Sequence, residues 1–167
     1  MLESKRLCLI PLTAKQLRLW YEDISTLEEE LSVSYQDELP EGVFKEIVES
    51  QRQKMLLDVE NWLFHTFWLI VRKSDKAVIG SIDFKYPPNQ TGETEIGYGL
   101  NSRFTGNGYM TESVQTFCAW GLQNPSIKVI LAETEKTNKA SQLVLIKSGF
   151  IFSYVTEECY WWKFLKK

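Results

Sequence analysis

Two glycines one residue apart, Gly106 and Gly108, lie within the run SRFTGNGYMTE, Ser102 to Glu112, with Arg103 at its entrance. The run leads from a strand-like segment ending at Leu100 into a helix-like segment beginning at Tyr109. Such a connection presents the first unpaired backbone N–H groups of the helix at its positive end, where they suit phosphate oxygens. Glycine gives the loop access to positive φ and lets a ligand reach the main chain. The residues alone leave two readings, a phosphate cradle or a glycine-bearing connection that binds nothing. Two nucleotide motifs fail. A P-loop needs Lys-Ser or Lys-Thr after its glycines, and a dinucleotide fingerprint needs glycine where Thr111 stands. That disfavours a nucleotide-dependent kinase or NTPase.

Other reactive side chains are sparse. Cys8, Cys118 and Cys159 are far apart and form no C-x-x-C. With His65 the sole histidine, they assemble no structural zinc set, and no metal is expected. The cysteines read as small buried apolar groups. His65 precedes a core strand and reads as structural, with an acceptor-facing role as the alternative.

These residues need a frame, and hydrophobic periodicity supplies one. Leu7–Ile10 is a strand ended by Pro11. Thr13 caps a helix to about Asp23, with Leu17 and Trp20 or Tyr21 on its buried side. Residues 24–39 read as a short helix plus loop, and Pro40 opens a longer helix to about Trp62. Strands follow at Phe67–Val71, Val78–Phe84 and Thr94–Leu100. Gly97 and Gly99 in the last of these suggest a bulge or a close approach by another group. A helix over 109–123, a strand over 127–133, a helix over 138–148 stopped by Gly149, and terminal strands Phe150–Val155 and Cys159–Phe164 complete the order. The pattern predicts a mixed α/β layer fold, helices covering a central sheet, in one domain spanning 1–167.

Composition bounds the function. A net charge of −3 argues against broad phosphate-backbone contact with nucleic acid, and the basic Lys163–Lys167 tail is too short to change that. No apolar run approaches ~20 residues and no signal h-region opens the chain, so no membrane partner is expected and the expected location is the cytoplasm. Aromatic content of 13% suggests a core or cleft lined with rings.

Beyond these readings, Arg103 to Gly108 forms R-x-x-G-x-G, which resembles the pyrophosphate-binding loop, [Q/R]-x-x-G-x-[G/A], of the GNAT superfamily of acetyl-CoA-dependent N-acetyltransferases. Thr94-Glu95-Ile96-Gly97-Tyr98-Gly99-Leu100 resembles that family's EIGY-x-L strand. Ala132-Glu133-Thr134, Asn138-Lys139-Ala140-Ser141 and Lys147-Ser148-Gly149-Phe150 resemble its A-x-[TV]-x-x-x-N-x-x-S…K-x-G-F block. Arg6–Leu12 is similar to the RL-x-LRPL start of the ribosomal-protein alanine acetyltransferase (Rim-type) branch, with Ile10 in place of its arginine.

The resemblance implies a GNAT fold: a mostly antiparallel sheet of about six to seven strands, splayed between the fourth and fifth, with pantetheine entering the gap. It implies that Tyr98, Gly99 and Leu100 meet the pantetheine arm of acetyl-CoA or CoA. Arg103 and the loop Thr105, Gly106, Asn107, Gly108, Tyr109 and Met110 would hold the pyrophosphate. Asn138 would cap its helix and bond CoA. Glu95 would serve as general base, directly or through water, and Ser141 would stabilise the departing thiolate, because Leu145 stands where many members carry an acidic tyrosine. The acceptor would be a primary amine, on a protein N-terminus or a small molecule, attacking the thioester directly. Tyr35 and Glu38 fall where the family builds its acceptor wall, and homodimerisation is a family habit. The alternative is a CoA-binding module that has lost catalysis.

Overall fold

The computed structural model describes Met1–Leu165; Lys166 and Lys167, the end of the basic tail, lie outside the described residues. The element order is β1 (Leu2–Glu3), β2 (Leu7–Pro11), α1 (Ala14–Glu22), α2 (Ile24–Leu31), β3 (Ser34–Tyr35), α3 (Gly42–Leu57), β4 (Phe67–Arg72) and β5 (Ala77–Phe84). It continues with β6 (Glu93–Leu100), α4 (Tyr109–Gly121), β7 (Val129–Glu135), α5 (Lys139–Ser148), β8 (Ile151–Val155) and β9 (Cys159–Leu165). Short 3-10 turns occupy Val59–Phe64 and Ser102–Phe104.

Local chemistry sets the helix ends. Thr13 and Gln16 form a reciprocal capping box at α1, each side chain accepting from the other's backbone N–H. Asp23 caps α2 through the Thr26 amide. The long helix expected up to Trp62 instead stops at Leu57. Asp58 adopts φ −129°, and its carboxylate gathers the Asn61 side-chain amide at 3.0 Å and His65 Nε2 at 3.0 Å. Short acidic side chains compete with the helical ladder in this way. His65 is thereby a buried structural residue.

The strands form one sheet ordered β1-β2-β4-β5-β6-β7-β9-β8, with β3 parallel beside β5. Nine strands are present among the described residues, rather than six to seven, because β1 and β3 are two-residue pairings that leave no periodic trace. Parallel β6 and β7 pair only from Glu93↔Val129 to Glu95↔Leu131. Beyond that point β6 stays with β5 and β7 stays with β9, so the sheet parts.

The bulge expected in β6 is not there. Its register with β5 runs unbroken from Phe84↔Ile96 to Gly80↔Leu100. The irregularity lies between β4 and β5, where Ile79 has no partner. Gly97 answers to close approach, since a Cβ there would stand 2.9 Å from Asp83 Oδ1, whereas a Cβ on Gly99 would meet open space.

Each face of the sheet buries its own core. Leu12, Leu17, Trp20, Leu27 and Val48 pack over Phe67 and Leu69 on one side. On the other, Val114 and Phe117 of α4 and Leu145 of α5 cover Ile82, Phe84, Ile96 and Ile130. Phe84 and Phe117 meet with ring centroids 4.5 Å apart, which packs the C-terminal half of α4 against β5.

Candidate active site

The glycine loop folds as an open cradle. Asn101 caps the 3-10 turn by accepting from the Arg103 amide, and the Asn107 side-chain amide donates to the carbonyls of Phe104 and Thr105. Gly106 and Gly108 take φ +78° and +77°, a region that costs a side-chain-bearing residue strain. No side chain caps α4. The backbone N–H groups of Gly106, Asn107, Gly108, Tyr109, Met110 and Thr111 find no hydrogen-bond acceptor among the described residues. Six successive free amides at a helix N-terminus suit an anionic ligand.

Arginines surround this cradle in an arrangement the sequence reading did not foresee. Arg103 turns to the segment after β3, donating from Nη2 to Gln36 O at 2.6 Å. Arg6, from the chain start, reaches the loop instead. Its Nη1 donates to Asn107 O at 3.0 Å, its Nε to Glu112 Oε2 at 2.7 Å, and its guanidinium lies over the Tyr109 ring. Ser4 and the Arg6 amide complete the grip on Glu112.

The parted strands lead away from the cradle. Tyr98 on β6 and Ser141 on α5 span the gap, their hydroxyl oxygens 2.8 Å apart. Burial raises the Tyr98 phenol to about 12, so it stays protonated. Asn138 caps α5 with Oδ1 accepting from Ser141 N at 3.0 Å. Thus Tyr98, Asn138 and Ser141 form one connected group. Leu145 is buried in the core and offers no acid. Gly99 has open space where a Cβ would be, and with Leu100 it borders the adjoining cleft.

That cleft, about 1220 Å³, runs between α3, the 37–41 segment and the β5–β6 face. It is at least as roomy as the ~300–1,000 Å³ usual for a small-molecule site and opens broadly to solvent. Asp37, Glu38, Glu41, Glu46 and Asp83 line it against Lys54 and Lys85, an acidic balance that favours a cationic guest. Tyr35 stands behind this wall: its hydroxyl accepts from Trp20 Nε1 and donates to Glu38 O at 2.9 Å. No cysteine lines the cleft. Among the described residues no cluster of His, Cys, Asp or Glu could hold a metal ion, and no helix is long and apolar enough to cross a membrane.

A carboxylate cluster lies behind the part of the cleft lined by Asp83 and Lys85. Lys85 Nζ contacts the Glu95 carboxylate and lies 3.0 Å from Glu133 Oε1. Burial raises the Glu95 pKa, Lys85 opposes the rise, and Glu133 adds to it. Asp83 sits opposite Gly97 in register and is 7% exposed. Burial lifts its pKa to about 7; nearby Lys85 opposes and Glu95 reinforces the rise. The sequence reading missed Asp83, although an aspartate in the otherwise apolar strand AVIGSIDF is the kind of residue that marks a buried site.

Comparison with known proteins identifies the family. A family profile described as "Acetyltransferase (GNAT) domain" matches residues 6–151. The chain is 28% identical over 169 residues to the uncharacterized N-acetyltransferase YjdG of Bacillus subtilis (strain 168), covering 95% of this chain and 100% of that one. Its fold is similar to that of the ribosomal-protein-S5-alanine acetyltransferase of Vibrio fischeri, with a TM-score of 0.69, 16% identity, and coverage of 98% of this chain and 94% of the other. It is also similar to the Salmonella typhimurium acetyl transferase that modifies the N-terminal serine of ribosomal protein L7/L12, with a TM-score of 0.67, 17% identity, and coverage of 98% and 97%. The chain therefore belongs to the GNAT family of acetyl-CoA-dependent N-acetyltransferases.

Proposed function

We propose that the protein transfers the acetyl group of acetyl-CoA to a cationic primary amine by direct attack within a ternary complex. One observation carries this reading: the six free amides of Gly106–Thr111 adjoin strands that part after Glu95, and the parting opens on an acidic cleft. In this reading the CoA diphosphate rests on those amides, with Thr105 beside them and Arg6 pinning the loop. Arg103 reaches the phosphates only by leaving Gln36. Pantetheine lies along Tyr98, Gly99 and Leu100, where main-chain groups meet its amides and a backbone N–H faces the developing oxyanion. Asn138 keeps its side-chain amide for the cofactor while its oxygen caps α5.

The acceptor enters from the cleft as an ammonium ion. At neutral pH deprotonation costs roughly 4–5 kcal/mol for a polyamine ammonium near pKa ~10.4 and about 1 kcal/mol for an N-terminal α-ammonium near ~7.8, so a base assists either acceptor and the polyamine most. The carboxylates around Lys85, Glu95 among them, supply candidates. Nitrogen then attacks the thioester carbon, and the departing thiolate accepts a hydrogen bond from Ser141, whose hydroxyl is backed by the Tyr98 hydroxyl. No cysteine borders the cleft, which fits direct transfer rather than an acyl-enzyme. The acidic walls and the N-terminal specificity named for the Salmonella neighbour favour a protein N-terminus, with small polyamines as the other class tested.

Acetyl-CoA is expected to raise the melting temperature, whereas ATP and NADH are not. Free thiol is expected to appear when Ser- or Ala-initiated hexapeptides, or spermidine, are added. Binding without thiol release across this panel supports the silent CoA-binding module instead; no thermal response to acetyl-CoA removes both readings.

A further inference from the structure

The acetyl-transfer reading leaves open which carboxylate deprotonates the acceptor, and the family resemblance points to Glu95. From the geometry we propose a different division of labour: Asp83 takes the proton from the acceptor ammonium, and Glu95 is a positioning residue that holds Lys85 beside it. Asp83 borders the cleft together with Gly97, Tyr98 and Gly99, the stretch of β6 along which the thioester arm is placed. Glu95 is not among the residues that line it, and its carboxylate is held by Lys85. The two acids are about equally buried, 7% and 6% exposed, so Asp83 is set apart by its place on the cleft lining and not by exposure.

The groups around Asp83 explain how it is kept available. Lys85 on the same strand segment is the nearest cation, yet its ammonium is shared between Glu95 from β6 and Glu133 from β7. From α3, Gln51 donates to the Lys85 carbonyl at 3.3 Å, and Lys54 lines the cleft farther out. Asp37 and Glu38 add negative charge along the wall. No protein donor holds the Asp83 carboxylate, and Gly97 leaves it the space that any side chain would take. A carboxylate shifted from the usual ~3.9 to about 7 is roughly a thousandfold more basic, about half ionised at neutral pH and mostly ionised at mildly alkaline pH.

The step balances. One N–H bond of the ammonium breaks and an O–H bond forms on Asp83. The neutral nitrogen attacks the carbonyl, forming the C–N bond. As the C–S bond breaks, the second proton leaves nitrogen for the thiolate sulfur, giving amide and free CoA thiol. Asp83 returns its proton to water through the open cleft.

The test compares wild type, Asp83→Asn and Glu95→Gln in acetyl transfer to a Ser-initiated hexapeptide, with kcat/KM followed from pH 5.5 to 9 and acetyl-CoA binding measured on each variant. Asp83→Asn is expected to lower kcat about a hundredfold or more, to lose the enzyme's ascending limb, and to keep acetyl-CoA affinity within about twofold. Glu95→Gln is expected to move that limb toward lower pH, since it removes a negative charge that holds the Asp83 proton. Loss of the limb in Glu95→Gln with its retention in Asp83→Asn overturns the proposal and makes Glu95 the base. If Asp83→Asn does not fold, judged by a missing acetyl-CoA-dependent melting shift, Asp83→Glu replaces it, and an unmoved limb in that variant overturns the proposal. Failure of wild type to acetylate any peptide or polyamine while binding acetyl-CoA refutes the transfer reading itself, a result separable from the behaviour of Asp83.

Discussion

Asp83 and Gly97 face each other across the β5–β6 ladder, and the glycine's missing side chain is what leaves room for the carboxylate. Gly97→Ala would set a Cβ 2.9 Å from Asp83 Oδ1 and force it aside. The expected result is a fall in kcat of about tenfold or more, about 1.4 kcal/mol, with thiol release measured at saturating acetyl-CoA. Arg6 makes a second residue-scale prediction. Arg6→Met removes the bonds to Asn107 O and Glu112 and should weaken acetyl-CoA binding about three- to tenfold by calorimetry, consistent with one or two partly exposed charge-assisted bonds. Gly106, Gly108 and Asn138 were legible in the sequence because a positive-φ turn and a helix cap are local signals. Asp83 and Arg6 were not. The importance of Asp83 depends on its register with Gly97, and Arg6 meets its partner 106 residues away. Arg103 stood in the right motif, yet its contacts are set by the fold's packing against Gln36.

At the scale of elements, the parting of β6 from β7 makes the cofactor path, and the tight contact of β5 with β6 holds β6 to one side of it. Gly80 is the closest point: a Cβ there would lie 2.2 Å from Gly99 O, a backbone atom with little freedom to retreat. Gly80→Ala should therefore destabilise the fold by about 2 kcal/mol or more in denaturant unfolding, with a loss of acetyl-CoA binding that follows the displaced strand. Most elements were readable because period-3.6 and period-2 patterns are intrinsic to long amphipathic helices and buried strands. Their ends fell within two residues for α4 and β7. The break at Asp58, the two-residue strands and the irregularity at Ile79 were not readable. Each arises from side-chain contacts or pairing partners remote in the chain.

For the whole molecule, a buried carboxylate at the working cleft trades stability for function. Asp83 binds its proton more tightly in the folded chain, about 7 against the usual ~3.9 unfolded. Its contribution is therefore neutral-form stability that is complete below about pH 4, declines as pH rises through 7, and is replaced above that by the cost of a buried charge. Asp83→Asn should gain on wild type by about 2–3 kcal/mol between pH 5 and pH 8 in parallel urea titrations. Equal pH slopes for the two proteins would mean that Asp83 is not desolvated as described. The overall acidity was visible in composition, but its concentration in Asp37, Glu38, Glu41 and Glu46 along one cleft appears only when α3 folds over the β5–β6 face. The central claim is that acetyl-CoA lies with its diphosphate on the α4 amides and its thioester arm between β6 and β7. Amide chemical-shift mapping during an acetyl-CoA titration tests this most directly. The largest changes are predicted at Gly106–Thr111 and Gly97–Leu100; saturating acetyl-CoA that leaves these amides unmoved, or perturbs a different surface, would contradict it.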